Sequence, residues 1–312
     1  MIQLGSNTIK NFYLGSNQVK SIWLGSNKVW SQIITDYSKI PLCIENNTST
    51  VGTVTLTLHG SGISVKLSTS TDNINWTTET TYSATSKFTL PASGSLYLKG
   101  SNNTFNTAEG TYYSISANVS HNIRGNISSL INNSDTIGTY YFTSLFRSNT
   151  NLISAENLIL PANTLAVNCY RSMFQDCTSL TDAPELPATN LANDCYTHLF
   201  NSCTSLTSAP ELPATTLADN CYNNMFYGCT SLTTAPVLPA TTLKTACYCY
   251  MFQGCTSLVN APILHATTLV TYCYWYMFTN CTKLNYIKAM FTTTPNYNYT
   301  NAWVTKDRKS VV

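Results

Sequence analysis

Residues 169–194 read CYRSMFQDCTSLTDAPELPATNLAND, and close copies of this 26-residue sequence follow without interruption. The copies begin at Cys195, Cys221 and Cys247, and a last one begins at Cys273 and breaks off after CYWYMFTNCTKL. A fixed period of this length is typical of a solenoid, in which each unit is too small to bury its apolar face alone and buries it against its neighbours. Such an array offers a long, regular surface rather than a deep cavity, so the sequence favours binding over catalysis.

Within one repeat the apolar residues are spaced as on one face of a helix. Cys221, Met225, Phe226 and Cys229 stand at i, i+4, i+5 and i+8, which predicts a helix of about two turns. The position before the second cysteine would end that helix, and its residues are Asp176, Ser202, Gly228, Gly254 and Asn280. Gly and Asn, and Asp less well, tolerate the left-handed backbone that ends a helix, whereas Ser202 fits that role least well. A turn, a short strand bounded by two prolines and a return loop would complete the unit.

The repeat resembles the BspA-type leucine-rich repeats of gut and oral microbes and their phages. The motif that carries the resemblance is MFxGCTSL with a trailing LP, represented by Met225, Phe226, Cys229, Leu232 and the pair Leu238-Pro239. The match covers about 145–290 and implies an α/β leucine-rich-repeat-like solenoid over 126–312. That domain would begin with a degenerate unit at 140–165, in which Leu145-Phe146 align with Met173-Phe174, and end in an atypical cap.

Ten of the 12 cysteines are the two recurring positions of this repeat. On a helix two residues eight apart are separated by about 12 Å, which is too far for a disulfide. The C-x7-C spacing does not fit a zinc site either. We therefore expect two internal ladders of buried, reduced cysteines, each acting as a small apolar side chain.

The first 32 residues contain a second repeat with a period of ten: IQLGSNTIKN, FYLGSNQVKS and IWLGSNKVWS. Apolar residues around Gly-Ser-Asn turns predict three small β units that cannot close a core alone. Such runs resemble the N-termini of fibre and appendage proteins of tailed phages, which implies an attachment or trimerisation segment. The residues expected to mediate assembly are Leu4, Ile9, Leu14, Val19, Trp23, Leu24, Val29 and Trp30.

Residues 37–125 alternate between apolar and polar side chains in short runs separated by turn residues. This pattern predicts an antiparallel β-sandwich of the immunoglobulin-like type, with Trp76 in its core. The predicted strands are 53–58, 63–70, 74–79, 87–91, 95–100 and 112–119. The chain is therefore expected to be multidomain, with N-terminal β repeats, a sandwich and a solenoid.

Charge and composition exclude several classes of partner. The net charge is +2 and only 10% of the residues are charged, so the chain lacks the concentrated basic patch that nucleic acid would require. No segment approaches the roughly 18 apolar residues of a membrane span, and MIQLGSNTIK does not resemble a secretory leader. We expect synthesis in a host cytoplasm, without membrane insertion.

No catalytic constellation stands out in the sequence. The four histidines occur far apart in unrelated contexts, and Glu185 and Glu211 are equivalent positions that become Val237 and Ile263 in the next repeats. A stacked carboxylate pair could imitate a glycosidase site, but surface solubility accounts for it more simply. We found no phosphate loop and no nucleophile elbow, and we expect neither enzymatic activity nor a cofactor.

The most informative variation lies in the repeat positions that change while the apolar frame stays fixed. Those positions should be exposed and side by side on the array, and mixtures of aromatic and amide side chains suit recognition of sugars or proteins. They could also vary for lack of constraint. The candidate ligand-binding residues are His198, Asn223, Asn224, Tyr227, Tyr250, Trp275 and Tyr276. The invariant Tyr of each repeat, for example Tyr222, should instead form a packing ladder.

Together these features lead us to expect a phage virion protein, a fibre or surface appendage. Residues 1–32 would bind other virion proteins and hold a homotrimer, and the repeats would bind a glycan or protein of the host surface. The alternative is a cell-surface adhesin of a bacterium, built from the same repeats.

Overall fold

The computed structural model describes residues 22–24, 27–30, 40–108, 110–292 and 297–302. The chain divides into two compact units, Met1–Ile40 and Pro41–Val312. In the first unit, β1 (Ile22–Leu24) pairs antiparallel with β2 (Asn27–Trp30). Four of the expected assembly residues, Leu4, Ile9, Leu14 and Val19, lie outside the described residues. The other four lie on these two strands, Trp23 and Leu24 on β1 and Val29 and Trp30 on β2.

The second unit begins with two β-sheets. The larger contains, in spatial order, β11, β10, β3, β8, β5 and β6, and the smaller contains β7, β4 and β9. The strands are β3 (Leu42–Asn46), β4 (Gly52–His59), β5 (Val65–Ser70), β6 (Thr80–Tyr82), β7 (Ser86–Leu90), β8 (Ser95–Lys99), β9 (Tyr112–Ala117), β10 (His121–Asn126) and β11 (Leu152–Ile159). All neighbours pair antiparallel except β10 and β11, which are parallel.

Alternation of apolar and polar residues decides which face of each strand is buried. Val54 and Leu56 of β4 point into the core, as do Leu96 and Leu98 of β8, and all four belong to one buried cluster. The threonines between them in β4 are partly exposed. This period of two is the sequence signal that predicted the strands.

Two expectations for this region were wrong. Residues 74–79 are not a strand, because the Asp72 carboxylate accepts hydrogen bonds from the backbone amides of Ile74 and Asn75 and holds a turn there. Trp76 does not lie in the core. Its ring is partly exposed, and the Lys99 ammonium sits 3.9 Å from the ring centroid.

The helices expected in the repeats are absent from residues 140–292, so the α/β character predicted for this region is wrong. In their place each repeat has ten residues of consecutive tight turns, which we call a turn segment. The six turn segments are 139–148, 167–176, 193–202, 219–228, 245–254 and 271–280. The described chain is thus rich in β structure, with a single 3-10 turn at Ile127–Leu130 and one four-residue helix, α1, at Tyr297–Thr300.

Alternate backbone amides of a turn segment serve two different purposes. The amides of Asn223 and Met225 close local turns on the carbonyls of Asn220 and Tyr222. Those of Tyr222, Asn224 and Phe226 donate instead to the next repeat, at the carbonyls of Cys247, Cys249 and Met251. Because buried amides need partners, this pattern ties each repeat to its neighbour along the whole segment.

The apolar side chains of the turn segments stack into ladders. The invariant tyrosines are stacked with ring centroids 5.8–5.9 Å apart between successive repeats, which confirms the predicted packing ladder. The phenylalanines stack in the same way at 5.4–5.7 Å. All ten repeat cysteines are buried, as predicted, and are free thiols. Cys229 also donates a hydrogen bond to the Phe200 carbonyl of the preceding repeat, at 3.1 Å.

The short strand expected in each repeat is reduced to isolated parallel bridges. One series joins Ser208, Thr234, Asn260 and Tyr286. Between the bridge positions stand prolines, such as Pro236 and Pro239, that have no amide to donate to a ladder. Leu232 and Leu238 are nevertheless buried.

Both ends of the row of repeats are closed by other parts of the chain. At the first turn segment, the carbonyls of Tyr141 and Leu145 accept hydrogen bonds from the amides of Asn106 and of Ile115 in β9. After the last segment, the carbonyls of Tyr299 and Asn301 accept from Tyr274 and Tyr276. The residues at 297–302 therefore lie where a further repeat would begin, which is where the sequence predicts a cap.

Candidate functional site

The turn segments form the candidate site because left-handed residues recur at regular intervals along them. Every fourth residue has a positive φ, which gives three such positions per segment, and in the third repeat these are Asn220, Asn224 and Gly228, with φ values of 55°, 55° and 70°. Side chains consequently project in pairs. Cys221 and Tyr222 point inward, Asn223 and Asn224 point outward, and Met225 and Phe226 point inward again.

The third left-handed position is the residue before the second cysteine, and its positive φ was predicted correctly. The second position coincides with one of the variable positions picked out in the sequence. It holds Ser172, His198, Asn224, Tyr250 and Tyr276, with φ between 55° and 58°. Asn is favoured in this conformation, whereas a large side chain is unfavourable there by about 1–2 kcal/mol.

The outward pairs of successive repeats line a shallow groove of about 390 Å³. Five of the seven candidate ligand-binding residues lie in it: His198, Asn223, Asn224, Tyr250 and Trp275. Tyr227 is exposed but lies outside the groove. Tyr276 is not in the lining, and its ring stacks on Tyr250 with centroids 5.1 Å apart.

Other lining residues were not among the candidates. Arg171, Asp194, Thr197, Asn220, Ala246, Cys249 and Tyr272 complete the groove. Tyr272 is the most important of them because it extends the aromatic surface. It stands at the first left-handed position of its repeat, where the four preceding repeats have Asn168, Asp194, Asn220 and Ala246.

Four aromatic rings form a cluster at the C-terminal end of the groove. Trp275 is at its centre, with centroid distances of 4.7 Å to Tyr272, 5.7 Å to Tyr250 and 5.2 Å to Tyr276. Three of the four, Tyr250, Tyr272 and Tyr276, have left-handed backbones. A left-handed backbone does not favour tyrosine, so the backbone conformation does not explain why these three positions carry aromatic side chains.

The rest of the groove is polar and is ordered by its own hydrogen bonds. Arg171 Nη1 lies 3.5 Å from Asp194 Oδ1 at the N-terminal end. Thr197 Oγ1 donates to the Asn220 carbonyl at 2.7 Å, and Asn223 Nδ2 donates to Asn220 Oδ1 at 3.1 Å. The amide groups are therefore held in place before any ligand binds.

A second depression lies around the carboxylates that the sequence offered as a pair. Glu185 and Glu211 line a trough of about 580 Å³ together with Pro184, Pro187, Pro210 and Pro213 and neighbouring apolar residues. Both glutamates are exposed, and the same row continues as the exposed Val237 and Ile263. This arrangement is that of a solvated surface.

The described residues contain no group of three or more His, Cys, Asp or Glu side chains that could hold a metal ion. His59 Nε2 lies 2.9 Å from Ser114 Oγ. These residues are cross-strand neighbours of β4 and β9 and line neither depression. In the part of the chain that is described, no helix has the length and apolar character to cross a membrane.

Comparisons of the chain with protein-family models, with curated proteins and with solved structures found no match in any of the three.

Proposed function

We propose that this chain is a non-enzymatic structural protein of a phage virion, a fibre or surface appendage that displays its repeats for binding to the host surface. Residues 1–32 attach it to other virion proteins and hold a homotrimer. Residues 37–125 form an immunoglobulin-like spacer, and 126–312 form a leucine-rich-repeat-like solenoid in which turn segments replace the helices.

The observation that carries the binding function is the aromatic cluster. Tyr250 and Tyr276 occupy left-handed positions at which an Asn, such as the equivalent Asn224, is better suited. Strained residues of this kind persist where the surroundings impose them, and they concentrate at functional sites. Aromatic side chains also give large contact areas at low cost in conformational entropy.

The location of the cluster agrees with this role. It lies in the last repeats, far along the chain from residues 1–32, the proposed attachment segment. A cell-surface adhesin could use the same face, because the repeat motif resembles those of microbial surface proteins. Capsid and tail genes beside the coding sequence would support the virion assignment, and their absence would favour the adhesin.

The binding function is tested by adsorption of the fluorescently labelled protein to a panel of gut bacterial isolates. We expect the triple variant Tyr250→Ala/Trp275→Ala/Tyr276→Ala to keep the circular dichroism of the parent and to lose adsorption. If the folded triple variant adsorbs as well as the parent, the binding site lies elsewhere, and the trough at Glu185 and Glu211 is the next surface to mutate.

A further inference from the structure

The groove runs along the row of repeats rather than across it. Its lining takes one to three residues from each of five successive repeats, from Arg171 in the first to Trp275 in the fifth. Equivalent rings of successive repeats stack 5.4–5.9 Å apart, so four intervals give the groove a length of about 22–24 Å. The groove therefore presents a similar set of outward positions at regular intervals, which suits a ligand that is itself a linear repeat.

The polar groups of the groove match an uncharged ligand. The only Lys, Arg, Asp or Glu side chains in its lining are Arg171 and Asp194, which pair with each other at one end. Between them and the aromatic cluster stand Asn220, Asn223, Asn224 and Thr197. Amides and hydroxyls both donate and accept hydrogen bonds, as ligand hydroxyl groups require, whereas a polyanion would meet no cationic row.

The aromatic end of the groove supplies the apolar contact that such a ligand needs. Tyr250, Tyr272 and Trp275 line it, and the Tyr276 ring stacks on Tyr250. A pyranose ring has an apolar face of C–H groups that packs on aromatic rings while its hydroxyls reach neighbouring amides.

From this geometry we infer that the groove binds a linear, neutral oligosaccharide that lies along the repeats, with one sugar ring packed on Trp275 and Tyr250. This inference rests on the proposed binding function and names its ligand class. A protein partner fits less well, because a stable protein interface needs about 800 Å² on each side, and the groove is narrow and shallow.

The direct test is calorimetric titration of the full chain with neutral oligosaccharides of increasing length, namely gluco-, manno-, xylo- and N-acetylglucosamine oligomers. Affinity should rise with length and level off at about four to five units, because the groove spans about 22–24 Å. Trp275→Ala and Tyr250→Asn should each weaken binding about tenfold or more. Tyr286→Ala is the matched control, since Tyr286 is exposed and lies outside the groove, and it should bind as the parent does.

A second measurement separates this inference from the proposed function. Adsorption to bacteria is compared before and after periodate treatment, which cleaves vicinal diols of surface glycans. Adsorption that depends on Trp275 and is lost after periodate supports the inference. Adsorption that depends on Trp275 but survives periodate identifies a protein receptor and overturns the inference while the proposed function stands. Tighter binding of sialylated or uronic oligosaccharides overturns the neutral ligand, and the absence of both oligosaccharide binding and adsorption overturns both proposals.

Discussion

Tyr222 and Tyr248 occupy equivalent positions in adjacent repeats, and their rings stack with centroids 5.8 Å apart and planes within 2° of parallel. Both hydroxyl groups are buried and lack a hydrogen-bond partner among the described residues. Burial raises the pKa of Tyr222 well above its ordinary value, so the hydroxyl stays neutral. Burial of the rings therefore stabilises the folded protein, whereas burial of the hydroxyl groups destabilises it, since an unsatisfied buried polar group costs about 1–3 kcal/mol.

We predict that Tyr222→Phe leaves the free energy of unfolding unchanged or raises it by about 1 kcal/mol, because the substitution removes only the unsatisfied group. Tyr113→Phe is the control, since the Tyr113 hydroxyl donates to the Tyr82 carbonyl at 2.7 Å, and its loss should cost about 1 kcal/mol. Chemical denaturation measures both. A Tyr222→Phe variant destabilised as much as Tyr113→Phe would mean that the buried hydroxyl has a partner.

The cysteine ladders should be chemically inert in the folded protein. Burial raises the pKa of Cys177 and of Cys229 to about 12, and the thiolate, which is the reactive form, is then scarce at pH 8. We predict that iodoacetamide under native conditions modifies none of the ten ladder cysteines, and that all 12 cysteines react in guanidinium. A Thr242→Cys variant, at an exposed position, is the positive control. Mass spectrometry that finds disulfides between successive repeats would contradict the ladder.

The sequence predicted which residues of the repeat are buried but gave the wrong local structure for them. In the CYxxMFxxC pattern the apolar residues recur every four residues. That spacing fits one face of a helix, but it also fits a run of turns in which two inward side chains alternate with two outward ones. The distinguishing signal was present. Asn220, Asn224 and Gly228 are spaced by four and all tolerate a left-handed backbone, whereas a helix needs such a residue only at its end.

The candidate site was predicted in part for the same reason. The variable positions were expected to be exposed, but several of them are buried, among them Ser172, Thr197 and Cys249. Five of the seven candidates nevertheless line one groove. Tyr272 was missed because it would precede the first turn of a helix, whereas in a turn segment it belongs to the outward face. The hydrogen bonds that close the first repeat could not be predicted either. The buried Asn106 side chain donates to the Thr143 carbonyl, 37 residues away in the sequence, and no local pattern indicates that contact.

His121 should make stability depend on pH. It is buried at the start of β10, its Nδ1 donates to the Val119 carbonyl at 2.8 Å, and burial lowers its pKa below 6.5. Below about pH 6.5 the His121 imidazole therefore takes up a proton more readily in the unfolded chain than in the folded chain. The contribution of His121 to the free energy of unfolding is therefore fully present above that pH and is lost as the pH falls below it.

We accordingly predict a lower free energy of unfolding at pH 5 than at pH 7.5, and a smaller difference in His121→Gln. The pKa of the less buried His59 is lowered in the same direction, so some pH dependence should remain. His265→Gln is the control because His265 is exposed. Equal pH dependence in His121→Gln and the parent would show that His121 is not the responsible group.

The proposed trimer should depend on the N-terminal segment. The decapeptide repeats carry Ile, Val, Phe and Trp in units too short to bury them alone, and closed rotational symmetry would cover those faces. Light scattering should give three times the mass of the chain for the full protein and a monomer for the chain that lacks residues 1–32. A monomer in both cases would refute the assembly role of this segment.

The left-handed tyrosines give the sharpest test of how the aromatic cluster is held. Tyr250→Asn and Tyr250→Ala remove the same ring, but only Asn favours a φ near the observed 56°. We predict that Tyr250→Asn is more stable than Tyr250→Ala by about 1 kcal/mol. Tyr227 is the matched control position, since it is exposed and is not among the residues with positive φ. We expect Tyr227→Asn to be no more stable than Tyr227→Ala.

Both Tyr250 variants should lose ligand binding to the same extent, because the ring and not the backbone makes the contact. Thermal unfolding and adsorption are measured on the same preparations. If Tyr250→Asn is the less stable of the two, the left-handed backbone at this position is not imposed on the tyrosine, and the strain argument for its function fails. If the two variants are separated as predicted and still adsorb as the parent does, the strain is real but serves only the packing of Trp275 and Tyr276.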